Sequence, residues 1–429
     1  MNGQTTKSSG WKARYTVLTF IWLAWLFSFL DRMVMNVSLP FIGAEFGLDK
    51  TQQGMIISAF FMSYAAFQIP GGYLADKFGP RRVMVIAILW WSVFTSLTGL
   101  VGAVAGLSAL TVMMITRFLF GIGEGSFPAS SWKTIANYYP TKERGRATAI
   151  QSSVNTLGPA AATLVAATII GLFGWRNVFI ILGVPGLLIA LGLWIYCRDN
   201  PKDNPQITAE DLKELEEDAM NAASKSGGAS TEKVPFSKIL SMPTLWLLAS
   251  IWFLFDITFW GFTSWLPSYL MDARGLNLKE VGVWGSVPFL FGAAGTLMGG
   301  YVSDKFTSSR NIIYCISSVV AAGFLYMMFS VDDLTTAIIF QCLASLFMFF
   351  AMGIFWGLLM HTISSNIMGT ASGIVNFGGQ MAGVVAAPVM GYLVDRSGGN
   401  YDNAFLFIIA TLVASAVVIM MVRTKKETA

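Results

Sequence analysis

The chain has 429 residues, of which 55% are hydrophobic and 12% charged, and its formal net charge is +4. A soluble domain carries about 25% charged residues, so a water-soluble globule is excluded, and no basic run suits a nucleic-acid backbone, which makes nucleic acid an unexpected partner. The three cysteines, Cys197, Cys315 and Cys342, lie far apart in apolar stretches and read as packing residues rather than a disulfide or metal framework.

About fourteen mostly polar residues open the chain. The apolar run after them is longer than a signal-peptide core and has no obvious cleavage site, so it is expected to stay as a first helix. Apolar runs broken by charge, Gly and Pro predict spans near 15–40, 51–74, 83–105, 108–132, 146–171 and 177–197. A second set follows near 244–271, 280–303, 311–330, 335–362, 369–394 and 402–422. Each has room for the ~20 apolar residues that cross a bilayer. The fold class is therefore an all-α membrane protein of twelve transmembrane helices. Residues 1–197 and 244–429 form two six-helix bundles, joined by a hydrophilic linker at 198–243. Within that linker DNPKDNP is followed by an acidic helical stretch, ITAEDLKELEEDAM, and then by flexible SKSGGAS.

Of the 28 Lys and Arg residues, 21 fall in the terminal, linker and alternate loop segments that share one side. Five, Lys50, Arg176, Arg274, Lys279 and Arg396, fall in loops on the other side, and Arg32 and Arg117 lie inside spans. This bias predicts that both termini are cytoplasmic.

The halves are related. A shift of 228 residues lays GLDKTQQG (47–54) on GLNLKEVG (275–282) and GGYLADKFGPRR (71–82) on GGYVSDKFTSSR (299–310), with 14 identities across residues 47–82. Composition alone would give roughly three. Two parallel bundles, with a path between them that opens by rocking, are implied.

GGYLADKFGPRR resembles the signature loop of the major facilitator superfamily, and its echo at 299–310 stands where that superfamily repeats it. In physical terms Gly71 and Gly72 permit close helix approach, Asp76 can cap or pair at a neighbouring helix end, and Arg81 and Arg82 anchor the cytoplasmic surface. These residues, with Asp304 of the echo, read as a conformational latch that does not touch the cargo. FLDRMVMNVSLP (29–40) and RFLFGIGEGSFPAS (117–130) resemble the anion:cation symporter branch, whose bacterial members carry sugar acids and other organic anions with protons. The short loop after the first span favours the bacterial type. The resemblance implies that Asp31, Arg32, Arg117 and Glu124 form the working cluster. It also implies a monomer in the inner (plasma) membrane, in contact with lipid, whose partners are a small organic anion and protons. No cofactor is expected beyond the proton gradient.

The residues support the same chemistry independently. An ionised group at mid-span costs about 2.5 kcal/mol or more and normally faces a cavity or a partner. Here the first half holds four, two of each sign. Arg117 and Glu124, about two turns apart, share a helix face, while Gly121, Gly123 and Gly125 thin the helix beside them. Guanidinium forks match carboxylates and stay charged, so Arg32 and Arg117 are the expected anion anchors. Asp31 and Glu124 are then the proton-coupling groups, because an acid arriving at the arginines alters their environment. A purely structural ion-pair network is the bland alternative.

Further polar residues can complete a pocket, or equally form helix–helix hydrogen bonds. They are Tyr64 and Gln68, Ser28 and Asn36, Gln151 and Asn155, and Asn376 and Gln380, with Trp260 or Trp356 as an apolar wall. Two residues depart from the family pattern. Asp256, in span seven, could accept from hydroxyls, hold a proton, pair with a cationic part of the cargo, or simply be locally bonded. His361, the lone histidine, is expected to have a gating or interfacial place rather than a metal site. The sequence thus predicts proton-driven import of a small organic anion, foremost a sugar acid such as an aldonate, hexuronate or aldarate. Aromatic or dicarboxylic acids are the near alternatives. A drug–proton antiporter is disfavoured because NTLGPAAATL (155–164) carries alanines where glycines should follow. A membrane-embedded enzyme lacks a nucleophile–base pair, a metal cluster and a phosphate loop in the sequence.

Overall fold

The computed structural model describes residues 11–102, 107–226, 235–364 and 367–422. Twelve helices are long and apolar enough to cross a membrane. Spans one to six are Ala13–Phe46, Lys50–Phe78, Pro80–Thr98, Ala109–Tyr138, Thr141–Phe173 and Trp175–Tyr196. Spans seven to twelve are Pro243–Asp272, Leu278–Lys305, Thr307–Ser330, Leu334–Thr362, Met368–Arg396 and Asp402–Ile419. Most extend past the predicted limits. Span one continues through Pro40 to Phe46, because one lost backbone bond does not end a helix whose neighbours pack on every side. Residues 103–105 of the predicted third span and the GGAS end of the linker lie outside the described residues.

The repeat is visible in the backbone. Asp49 caps span two in a capping box with Gln52, and Asn277 caps span eight in a capping box with Glu280. Both caps follow a glycine in the left-handed region, Gly47 at φ 63° and Gly275 at φ 68°. The 228-residue shift therefore carries the turn, the cap and the reciprocal side chain together.

Packing repeats in the same way. Span four packs on spans two and three, and span one on spans five and six; span ten packs on eight and nine, and span seven on eleven and twelve. The bundles meet chiefly where span two packs on span eleven and span five on span eight. Within each half, small residues bring backbones together: a Cβ at Gly125 would sit 2.5 Å from the Tyr64 carbonyl oxygen. Gly295 and Gly299 of span eight face the Leu346 and Phe350 backbone of span ten in the same manner. Gly125→Val should therefore separate spans two and four, and overpacking of this kind costs about 1–3 kcal/mol. The expected result is a lower thermal midpoint in detergent, measured by tryptophan fluorescence; an unchanged midpoint would contradict the contact.

The interface between bundles is tight at one end only. At the end away from the termini, Gly54 abuts the Ala387–Pro388 backbone, Gly383 abuts Phe61, and Gly391 abuts the Lys50 backbone. Toward the termini, Gly369 and Gly373 of the same span eleven have no described residue within 4 Å of a Cβ position. The two bundles thus form a wedge, closed far from the termini and open beside them.

The linker helix, Ala209–Ser226, rests on the first bundle. Asp211 pairs with Lys12 at 2.7 Å and with Arg14 at 3.3 Å. Glu214 pairs with Arg14 at 2.8 Å and with Lys142 at 2.9 Å. Lys142 foremost, with Arg14, holds the Glu214 carboxyl below its ordinary range.

Candidate functional site

Every residue from Ser28 to Leu39 of span one is buried, so the charged pair within it must be solvated by protein. Consecutive helical residues point about 100° apart, and Asp31 and Arg32 accordingly serve different neighbours. The Arg32 Nε donates to Glu124 Oε2 at 2.6 Å, and its Nη2 lies 3.5 Å from Ser28 Oγ. Its guanidinium carbon stands 4.4 Å from the Tyr64 ring centre and 5.1 Å from that of Phe60. Asp31 forms no ion pair among the described residues, and Arg117 and Thr95 of span three are near enough to influence it. Arg117 donates to Thr98 Oγ1 at 3.3 Å, between the rings of Phe120 and Phe179, each 5.0 Å away.

All four charges are deeply buried; Asp31 and Glu124 are each 1% exposed and Arg117 2%. The cluster is balanced in charge but incomplete in hydrogen bonds. Asp31 Oδ1, Glu124 Oε1 and Arg117 Nε have no partner among the described residues, although buried polar atoms nearly always have one. Arg32 and Arg117 also line one small cavity, of about 20 Å³, with Asn36, Ile57, Phe61 and Trp260. A single water needs about 10–15 Å³, so the space holds a water and must widen to admit an organic acid.

The other predicted residues divide into groups. Tyr64 joins the cluster, and Trp260 is its apolar wall, stacked edge-on against Phe61 at 4.7 Å. Trp356 instead packs on Trp252, 5.1 Å between ring centres. Asn376 donates to Gln68 at 3.2 Å and so bridges the bundles. Gln380 is buried one turn on, with its Oε1 unpaired. Gln151 sits elsewhere: with its amide turned so that the oxygen faces the two indoles, it accepts from Trp25 Nε1 at 2.7 Å and from Trp132 Nε1 at 3.0 Å. Asn155 and His361 are exposed, and Asp256 is buried in the second bundle.

The residues read as a latch lie, Asp304 of span eight apart, in the first bundle. Asp76 pairs with Lys133 at 2.6 Å, and Gly71 lies against the Ser126 backbone of span four. Arg81 stacks on Trp194 and donates to its carbonyl, while Asp199 accepts from the Arg81 amide at 2.8 Å. Arg82 and Asp304 are exposed, without an ion pair among the described residues.

One functional feature escaped the sequence. At the closed end, Asp395 of span eleven accepts from the Lys50 amide at 2.9 Å and from the Thr51 amide at 2.7 Å. Asp272 of span seven accepts from Lys50 Nζ at 2.6 Å and from the Tyr401 hydroxyl at 2.8 Å. Nothing local marks either carboxylate, because both serve a different part of the chain. Thr98 was missed for the same reason.

Comparison with known proteins agrees with this architecture. The family model described as Major Facilitator Superfamily matches residues 21–387. A probable sulfoacetate transporter of Cupriavidus necator is 32% identical over 405 residues, 92% of this chain and 90% of that one. The hexuronate transporter of Bacillus subtilis is 30% identical over 425 residues, covering 96% and 95%. A probable galactarate/D-glucarate transporter of Escherichia coli is 31% identical over 424 residues, covering 94% and 93%. Among solved structures, a bacterial homolog of the human lysosomal transporter Spinster, inward-facing and occupied, superposes with a TM-score of 0.78 at 22% identity, covering 96% and 97%. The xylose transporter of Escherichia coli, inward open, gives 0.75 at 16% identity, covering 97% and 98%; these two likenesses concern the fold alone.

Proposed function

We propose a function from one premise: this chain belongs to the Major Facilitator Superfamily. It is a multi-pass protein of the inner membrane, and its relatives carry organic acids. Our reading is that it imports a small organic anion, foremost a sugar acid, by proton symport through alternating access. It is a carrier rather than an enzyme. The observation that supports this most is the pair of buried guanidinium groups, Arg32 and Arg117, on one small cavity between the bundles.

The distribution of Lys and Arg supports cytoplasmic termini. The tight end of the wedge is then external, and the conformation opens inward. Arg32 binds Glu124 in this state. An incoming carboxylate competes for the same fork, and a carboxylate displaced into an apolar cavity without its cation is costly. Exchange of Glu124 for substrate on Arg32 is therefore linked to proton uptake by Glu124, which carries both inward together. Asp31 beside Arg117 offers a second coupled pair.

In proteoliposomes an acidic exterior should drive accumulation of labelled D-glucuronate, and Glu124→Gln or Asp31→Asn should abolish that drive. Wild-type uptake that ignores the proton gradient would sink the symport reading. A panel of aldonates, hexuronates, aldarates and aromatic acids, ranked by competition, then selects the cargo.

A further inference from the structure

The two halves differ in charge at one further pair of equivalent positions, outside the cluster of the first bundle. In spans one and seven, Leu39–Pro40 and Leu266–Pro267 align at a shift of 227 residues, which sets Trp25 on Trp252 and Phe29 on Asp256. In spans five and eleven, Asn155 and Gly158 align on Asn376 and Gly379 at a shift of 221. The contacts confirm both registers. A Cβ at Gly158 would meet Phe29, 2.7 Å from its Cβ, and a Cβ at Gly379 would meet Asp256 Oδ2 and Trp252 Nε1. Asp256 thus occupies the place where the first half carries an aromatic ring against Arg32, whose guanidinium is 5.2 Å from the Phe29 ring.

The partners differ too. Trp25 Nε1 donates to Ser131 Oγ at 3.2 Å, whereas Trp252 Nε1 has no partner among the described residues. Gln380, next to Gly379, leaves its Oε1 unpaired. Asp256 is 4% exposed, and no described residue donates to it or forms an ion pair with it. A carboxylate and an indole N–H therefore meet at one glycine, and the unpaired amide oxygen of Gln380 belongs to the next residue of span eleven. Buried polar atoms nearly always have a partner, and here acceptors outnumber donors.

We propose that Asp256, with Gln380 and Trp252, forms a recognition site in the second bundle for the hydrogen-bond-donating end of the carried acid. This rests on the acid reading above: the carboxylate goes to the guanidinium groups of the first bundle, and a hydroxyl or ammonium group goes to Asp256. The site selects acids with donors remote from the acidic group over plain aliphatic acids.

Calorimetric binding of D-glucuronate, 6-aminohexanoate and hexanoate to the full-length purified protein tests this. Asp256→Ala should weaken a donor-bearing acid about tenfold or more and leave hexanoate within about twofold. Loss confined to D-glucuronate, restored in part by Asp256→Asn, assigns the site to hydroxyls. Loss confined to 6-aminohexanoate, with no rescue by Asn, assigns it to ammonium. Both variants should also raise the ligand-free thermal midpoint, since a buried unpaired charge is removed. Equal weakening of all three acids, no weakening of any, or a lowered ligand-free midpoint in both variants overturns the site while the acid reading stands. A wild type that binds none of the three overturns the acid reading, and this site with it.

Discussion

Arg32→Ala should abolish organic-acid uptake and sharply destabilise the protein, whereas joint replacement of Arg32 and Glu124 by Met should restore stability without restoring uptake. Both outcomes follow from the 2.6 Å pair, whose side chains are 5% and 0% exposed. Removing one partner of a buried pair leaves an uncompensated charge and costs about 3–5 kcal/mol, while replacing both by apolar groups is neutral or stabilising. The cost is large here because Arg32 also loses its stacking on Tyr64 and Phe60. Urea or thermal unfolding in detergent reads the stability, and proteoliposome uptake reads the function. Stability regained together with uptake would mean that the pair is structural only. A double variant as unstable as the single one would mean that Arg32 is held mainly by something other than Glu124.

Arg117 and Glu124 share a face of span four, and that spacing placed both in the cluster. Seven residues of rise is about 10.5 Å, however, and a shared face does not make the two residues partners. The structure joins Glu124 to Arg32 and leaves Arg117 with Thr98. Burial of the charges was legible because a membrane span penalises every ion within it. Their pairing was not, because it depends on how spans one, three and four rotate against one another. The duplicated turn at Gly47 and Gly275 was legible, since a cap needs only local residues. Gln151 shows the opposite case: its spacing to Asn155 suggested a polar face, but Trp25 and Trp132 claim it while Asn155 is exposed. Helical periodicity tells which residues share a face and is silent about what that face meets.

Asp395→Ala should unlock the closed end and cut uptake at least about tenfold. Asp395 takes the amides of Lys50 and Thr51, two of the orphan donors in the first turn of span two, and the Thr51 hydroxyl at 2.5 Å. It therefore acts as an anion at the N-terminus of a helix from the other bundle. These bonds are exposed, so together they are worth about 1.5–2 kcal/mol, or roughly 10- to 30-fold in a two-state equilibrium. Neighbouring Gly391 abuts the Lys50 backbone, so the carboxylate is held in place and loses little on closure. Lys50→Ala should have a smaller effect, since a salt bridge exposed by 21% and 33% is worth about 0–1 kcal/mol. The readout is labelling of a cysteine introduced at Ser264, which lines the cavity, after the three native cysteines are replaced. An impermeant thiol reagent added outside should react slowly with the otherwise native protein and many times faster in the Asp395→Ala background. Equal labelling rates would show that this carboxylate does not hold the end shut, and the Gly54 and Gly391 backbone contacts would then have to do so alone.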